Sequence, residues 1–148
     1  MTAPGTTFAG PVISGPNSTP EMQGLCVLTK SVTLTHNGTN AVSGTMQVPN
    51  HSKILDFLID NTTAWNSATS DVLSIGIAAA GTEYVDSVDT KTAGGRLAPT
   101  YSAAQLTAML DVGTNTNVVA TVTPTGSASA GSTTVTMRYV QTQNWDTN

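Results

Sequence analysis

From Leu25 onward the chain alternates apolar and polar residues with a period of two, again and again, in short runs separated by turn residues. In Lys30–His36, Val32 and Leu34 alternate with Ser31, Thr33 and Thr35. That period puts every second side chain on one face of a strand. Threonine accounts for 27 of the 148 residues, and a β-branched side chain packs well on a pleated surface. Asn37-Gly38 follows the first run and signals a tight reversal, because both residues tolerate positive φ. The return strand puts Val42, Met46 and Val48 on one face and ends at Pro49-Asn50. Ser52–Asp60 reads as a third strand with Leu55, Phe57 and Ile59 inward and Ile54 and Leu58 on the other face.

Asn61–Ser70 is a polar loop containing Trp65. Val72–Ala78 is a strand carrying Leu73, Ile75 and Ile77, and Glu83–Val88 is a shorter one. Lys91–Arg96, with Gly94-Gly95, is expected to be loop. Ser102–Leu110 is the single helical segment. Ser102 with Gln105 makes a capping box, Leu106, Met109 and Leu110 form one face, and Gly113 stops it. Asn117–Thr123 and Thr133–Val140 are clear strands, with Val118, Ala120 and Val122, then Val135, Met137 and Tyr139, inward. Pro124–Ser132 joins them as a hairpin loop. Seven or eight short strands with one helix inserted in a long connection over residues 90–114 predict an all-β protein. The expected architecture is a single β-sandwich over residues 25–148, of immunoglobulin-like or jelly-roll type, and the helix in the long connection favours the jelly-roll-like form.

Residues 1–24 differ. They hold four of the seven prolines and four of the 13 glycines. Proline lacks an N–H and fixes φ, so neither a helix nor a central strand suits them. An extended arm of this length reaches at most about 80 Å. Phe8, Val12 and Ile13 are its apolar anchors. Docking on a neighbouring subunit and a disordered tail are the two readings, and the anchors favour docking.

Charge narrows the function classes. Five Lys and Arg and nine Asp and Glu leave 9% charged residues and a net charge of −4, against about a quarter charged in ordinary soluble domains. Such a surface has little charge to desolvate on assembly. Five scattered cations build no stripe for phosphates, so nucleic acid is not an expected partner. No apolar run approaches the ~18 residues of a membrane span. The N-terminus shows no signal-peptide pattern, so synthesis in a cytoplasm is expected. Cys26, the lone cysteine, permits no internal disulfide and is expected to be a small buried residue.

No catalytic set stands out. His36 is expected exposed at a hairpin tip, and no His or Cys spacing fits a transition metal. Glu83, Asp86 and Asp89 read as solvated carboxylates. Asp56 and Asp60 point the same way along a strand but about 13 Å apart, too far for a glycosidase pair. The expectation is a non-enzymatic protein with no cofactor and no metal. Trp65 has three readings: a sugar-stacking platform, a plug for one end of the sandwich, or an interface anchor. Trp145, three residues from the C-terminus, reads as an interface anchor.

One stretch carries a family resemblance. Its residues are Ile54-Leu55-Asp56 with Ile59-Asp60, Trp65-Asn66 ahead of Asp71, Ile75-Gly76, and Gly81-Thr82-Glu83-Tyr84. Ala93-Gly94-Gly95-Arg96, Gln105-Leu106, Val119–Thr123, Ala130-Gly131, Val135 and Tyr139-Val140 complete it. Over about 60% of the chain this resembles small β-sandwich virion proteins of tailed bacteriophages, of the head decoration or head-fibre type. The resemblance implies a structural protein located in the virion, on the capsid surface, and a homo-oligomer of trimer form. Its partners would be the major capsid protein or other virion subunits. Two alternatives stay open: a carbohydrate-binding or adhesin module of a fibre, with a glycan as ligand, and a head–tail connector or tail component.

Overall fold

The computed structural model describes residues 26–91 and 94–141. Eight strands and one helix follow in chain order: β1 Val27–Thr35, β2 Val42–Gln47, β3 Ser52–Thr63, β4 Ser70–Gly76, β5 Val85–Asp89, β6 Gly95–Leu97, α1 Ala103–Leu110, β7 Asn117–Thr125 and β8 Ser132–Gln141. They form two four-stranded sheets, ordered β1-β8-β3-β6 and β2-β7-β4-β5. The antiparallel pairs nest: β1 with β8, β2 with β7, β3 with β6, β4 with β5. A long two-stranded ribbon folded over on itself gives this nesting, which is the jelly roll.

The core fills the space between the sheets. Ile59, Val135 and Met137 of one sheet and Leu73, Ile75, Val118, Ala120 and Val122 of the other are buried. Phe57 meets Tyr84 with ring centroids 6.3 Å apart. Gly44 lets β2 approach β1, because a Cβ there would lie 2.3 Å from Val32 Cγ2.

Nesting corrects two expectations. Asn37-Gly38 makes a turn, with Gly38 at φ +64°, but β1 and β2 belong to different sheets. The β7–β8 connection crosses between the sheets as well. Neither is a hairpin, since a turn signal reports reversal of direction and not which sheet the returning strand joins.

The phase of β3 is the third correction. Ile54 pairs with Tyr139, and Asp56 with Arg138, so Leu55 is an extra residue. This β-bulge shifts the alternation by one. Ile54 therefore turns inward and is buried, while Leu55 turns out and is exposed; Phe57 and Ile59 stay inward. A second register shift falls between Asn61 and Thr63.

Two segments differ from their expected form. Gly95 and Arg96, at the end of the expected Lys91–Arg96 loop, instead open the short edge strand β6, Gly95–Leu97, which pairs with Ile59–Asn61. Ile77 lies past the end of β4 and is exposed. It opens a connection over residues 77–84 that folds back over the outer face of the β2-β7-β4-β5 sheet. Ala80 N–H donates to Thr121 Oγ1 at 3.0 Å, and Ile77 N–H to Glu83 Oε2 at 3.1 Å. Gly76 and Gly81 make the approach feasible: a Cβ on Gly76 would sit 2.5 Å from the Gly81 carbonyl carbon.

Helix α1 has its expected capping box. Ser102 Oγ accepts from Gln105 N–H at 3.2 Å, and Gln105 Oε1 accepts from Ser102 N–H at 2.8 Å. The buried face, however, is Gln105 and Met109. Gln105 Nε2 also donates to Thr82 O at 3.0 Å, which ties the helix to the 77–84 connection. Leu106 and Leu110, expected inward with Met109, are instead 50% and 55% exposed.

Candidate functional site

Strand direction gives the sandwich two ends. The β1–β2, β3–β4, β5–β6 and β7–β8 connections meet at one. The β2–β3 and β4–β5 connections, α1, the start of β1 and the end of β8 meet at the other.

The first end is built around Trp65. The residues that place it are small or hydrogen-bonding. Gly131 has no Cβ, and one there would lie 2.4 Å from Trp65 Cδ2. Trp65 N–H donates to Thr90 O at 3.1 Å. The indole Nε1–H donates to Thr133 Oγ1 at 2.9 Å, and Thr133 donates onward to Asn61 Oδ1 at 2.8 Å. Asn61 Nδ2 donates to Thr90 O at 2.7 Å. The indole is 1% exposed. Trp65 is therefore the plug, and it offers no ring face to a sugar or a partner. The polar residues beside it are engaged too. Asn66 Oδ1 accepts from the backbone N–H of Ser129 and Ala130, both at 2.9 Å. Lys91 Nζ donates to the carbonyls of Ser67 and Ala68 at 2.6 and 3.1 Å. Asp71 is fully buried and accepts from Ser67 N–H at 3.0 Å. His36, expected at an exposed tip, is half-buried, and its backbone N–H donates to Gly131 O at 3.0 Å.

The outer face of the β1-β8-β3-β6 sheet carries a hydroxyl ladder. Ser31 pairs with Thr136 at 2.8 Å and Thr33 with Thr134 at 2.9 Å. Cross-strand pairs of this kind are the usual unit of sheet stabilisation. Beside the ladder, Arg138 grips Asp56 through two N–H groups, one at 2.6 Å. Arg96 grips Asp60 the same way, at 2.7 and 2.9 Å. The hydrogen bonds from Arg96 hold the Asp60 carboxyl below the ordinary range. Both carboxylates that the sequence sets on one strand face thus have an arginine partner.

The second end is different in kind. Val27, Leu28, Leu55, Ile77, Leu106 and Leu110 are the exposed large apolar side chains among the described residues. By strand direction all six lie here. Cys26, expected buried, is exposed here as well, because it precedes the paired part of β1. His51 Nδ1 lies 3.2 Å from Asp111 Oδ2, and Val112 N–H donates to Ser52 O at 3.0 Å; together they fix the chain leaving α1 to the start of β3. The hydrogen bond from Gly113 N–H, then His51, holds the Asp111 carboxyl below its ordinary range.

Of the other residues singled out in the sequence, Phe8, Val12, Ile13 and Trp145 lie outside the described residues. The apolar end itself was not legible from sequence. Its signal is the pair Leu106 and Leu110, four apart on a helix whose inward position is taken by Gln105. No helix among the described residues is long and apolar enough to cross a membrane.

No family model matches the sequence. No curated protein matches it either. A solved structure does match in three dimensions: a chain described as "Cyanophage Pam1 capsid asymmetric unit". The TM-score is 0.54 at 18% sequence identity, over 93% of this chain and 99% of that one. The likeness is one of fold. It runs over nearly the whole of both chains.

Proposed function

We propose that this chain is a non-enzymatic structural subunit of a phage virion that decorates or cements the capsid surface. The fold likeness to a chain of a phage capsid, end to end over both chains, is the observation that carries the reading. Three others support it. The low-charge surface suits permanent contacts. The large exposed apolar side chains gather at one end of the sandwich, which is also where the chain enters β1 and leaves β8. An apolar end on a polar, hydroxyl-faced body is the distribution expected of a protein seated on something by that end.

In this proposal the subunit is a trimer, since closed symmetric oligomers suit the local axes of a shell. The partner is the major capsid protein, and residues 1–24 are the docking arm. Each arm residue that becomes ordered costs about 1–2 kcal/mol, so the arm needs a preformed groove or strand edge to offset it. The test is co-sedimentation of the purified chain with shells lacking it. The full chain should pellet with the shells, and a chain starting at residue 25 should stay folded and remain in the supernatant. Undiminished binding by the shortened chain would overturn the role of the arm. A glycan-binding reading loses its platform with the burial of Trp65.

A further inference from the structure

We propose that the first half of β1, Val27–Ser31, is an open edge on which an extended segment of the shell protein adds as a further strand, with a carboxylate set against Lys30. The inference rests on the capsid reading above and names a contact that the reading leaves open. Among the described residues the two sheets have four edge strands, β1 and β6 in one and β2 and β5 in the other. An unpaired edge is a template for another strand, and folded proteins blunt it by shortness, irregularity, charge or cover. Three of the four are blunted. β6 is three residues long. β5 is broken by Ser87 at φ +54°, and its register with β4 shifts between Leu73 and Ile75. β2 lies against β1, so closely that a Cβ on Gly44 would meet the Val32 side chain. That contact covers the second half of β1 as well, where Leu34 is buried and Val32 half-buried. Val27–Ser31 has no such cover, and all five residues are exposed. In a strand paired on one side, alternate residues turn N–H and C=O outward, over about 16 Å here.

The side chains define what fits. Residues facing each other across a ladder share one face of the sheet. Leu28 continues the inner row of Ile54 and Tyr139, and Val27 the outer row of Lys53 and Val140. Tyr139 and Val140 are each 5% exposed, whereas Val27 and Leu28 are 54% and 39% exposed. Both rows thus stop one strand short of being covered. Lys30 stands on the inner row beside Met137, at the rim of the core. The ion pairs of the described residues are His51 with Asp111, Arg96 with Asp60 and Arg138 with Asp56, and Lys30 is in none. A strand laid over Lys30 takes water from its ammonium, which is costly without a counter-charge. The incoming segment therefore carries two adjacent apolar residues against Val27 and Leu28 and an acidic one against Lys30. No described edge of a second copy offers that. β1 brings another Lys30, β2 has no charged residue, and β6 brings Arg96. Asp86 and Asp89 of β5 stand on either side of the break at Ser87. The occupant is thus a different chain, and the shell protein is the one that the capsid reading supplies.

Hydrogen–deuterium exchange of the full chain, free and bound to purified shells that lack it, reads the contact. Peptides covering Val27–Ser31 should take up deuterium more slowly on the shell, and those covering β5 should not change. Lys30→Glu alters an exposed side chain and should keep the melting temperature, yet weaken co-sedimentation with shells by about tenfold or more. Leu28→Ser should weaken it too, and Asp86→Lys should not. If Lys30→Glu lowers the melting temperature, Lys30→Gln is read in its place. Shell binding with unchanged exchange at Val27–Ser31, or binding undiminished by loss of the Lys30 charge, overturns the edge contact and leaves the capsid reading standing. No binding of the unaltered chain overturns both. The proposal also falls if every amide of the segment already exchanges slowly without shells. Dilution then tells a second copy on the edge, which it removes, from the chain's own residues, which it does not.

Discussion

Replacing Thr133 by Val removes a single hydroxyl from the buried chain of hydrogen bonds that fixes Trp65. The shape is kept, so little packing changes. Two bonds are lost: the one accepted from the Trp65 indole at 2.9 Å and the one donated to Asn61 at 2.8 Å. The indole N–H then stays buried without its acceptor, which costs about 1–3 kcal/mol, and the second bond contributes about 1 kcal/mol more. The expected loss is about 2–4 kcal/mol. For a domain near 150 residues each kcal/mol moves the melting temperature by about 3 °C, so the midpoint should fall by about 6–12 °C. Thermal unfolding followed by circular dichroism measures the shift, and Trp65 emission reports whether the plug loosens locally. Trp65→Phe in the same background should be strongly non-additive, because both changes break one bond. A drop below about 1 °C, less than half a kcal/mol by the same conversion, would refute the claim that this network holds the end closed.

Two further outcomes are expected. Gly76→Ala forces a Cβ to within 2.5 Å of the Gly81 carbonyl carbon, so the 77–84 connection must lift. The cost is about 1–3 kcal/mol, and the Ala80 amide should exchange faster with deuterium, whereas unchanged exchange would mean that the connection yields without leaving the sheet. Arg96→Gln should raise the titration of Asp60 to the ordinary carboxylate range, read by carboxyl carbon NMR. The sign follows from the lowered folded value: the pair's contribution is whole above the unfolded carboxylate range and is lost as pH falls through the folded one. Added salt should shrink it, as the pair is exposed.

The strands and their inward residues were largely legible. In β7 and β8 the alternation runs without interruption, and every inward residue expected there is buried. The helix start was legible because Ser102 and Gln105 are bound to each other, a purely local event. What failed was non-local. Leu55 is the residue by which β3 outruns β8, and only the partner strand reveals that. Asn37-Gly38 states that the chain turns, but the choice between pairing in one sheet and crossing to the other is made by β7 and β8, far along the chain. Leu106 looked inward because leucines usually are. Gln105 took the inward place because Thr82, from another connection, offers it a carbonyl. Gly76, Gly81 and Gly131 stood within the stretch carrying the family resemblance, and each now has a steric reason: backbone meeting backbone, or backbone meeting the face of Trp65.

The proposed function places the chain on a capsid. The direct measurement is to count it, by quantitative mass spectrometry, in virions purified from cells that produce it. The account predicts a fixed stoichiometric ratio to the major capsid protein, retained through a density gradient. Particles free of the chain, with all of it left in the soluble fraction, would contradict the account.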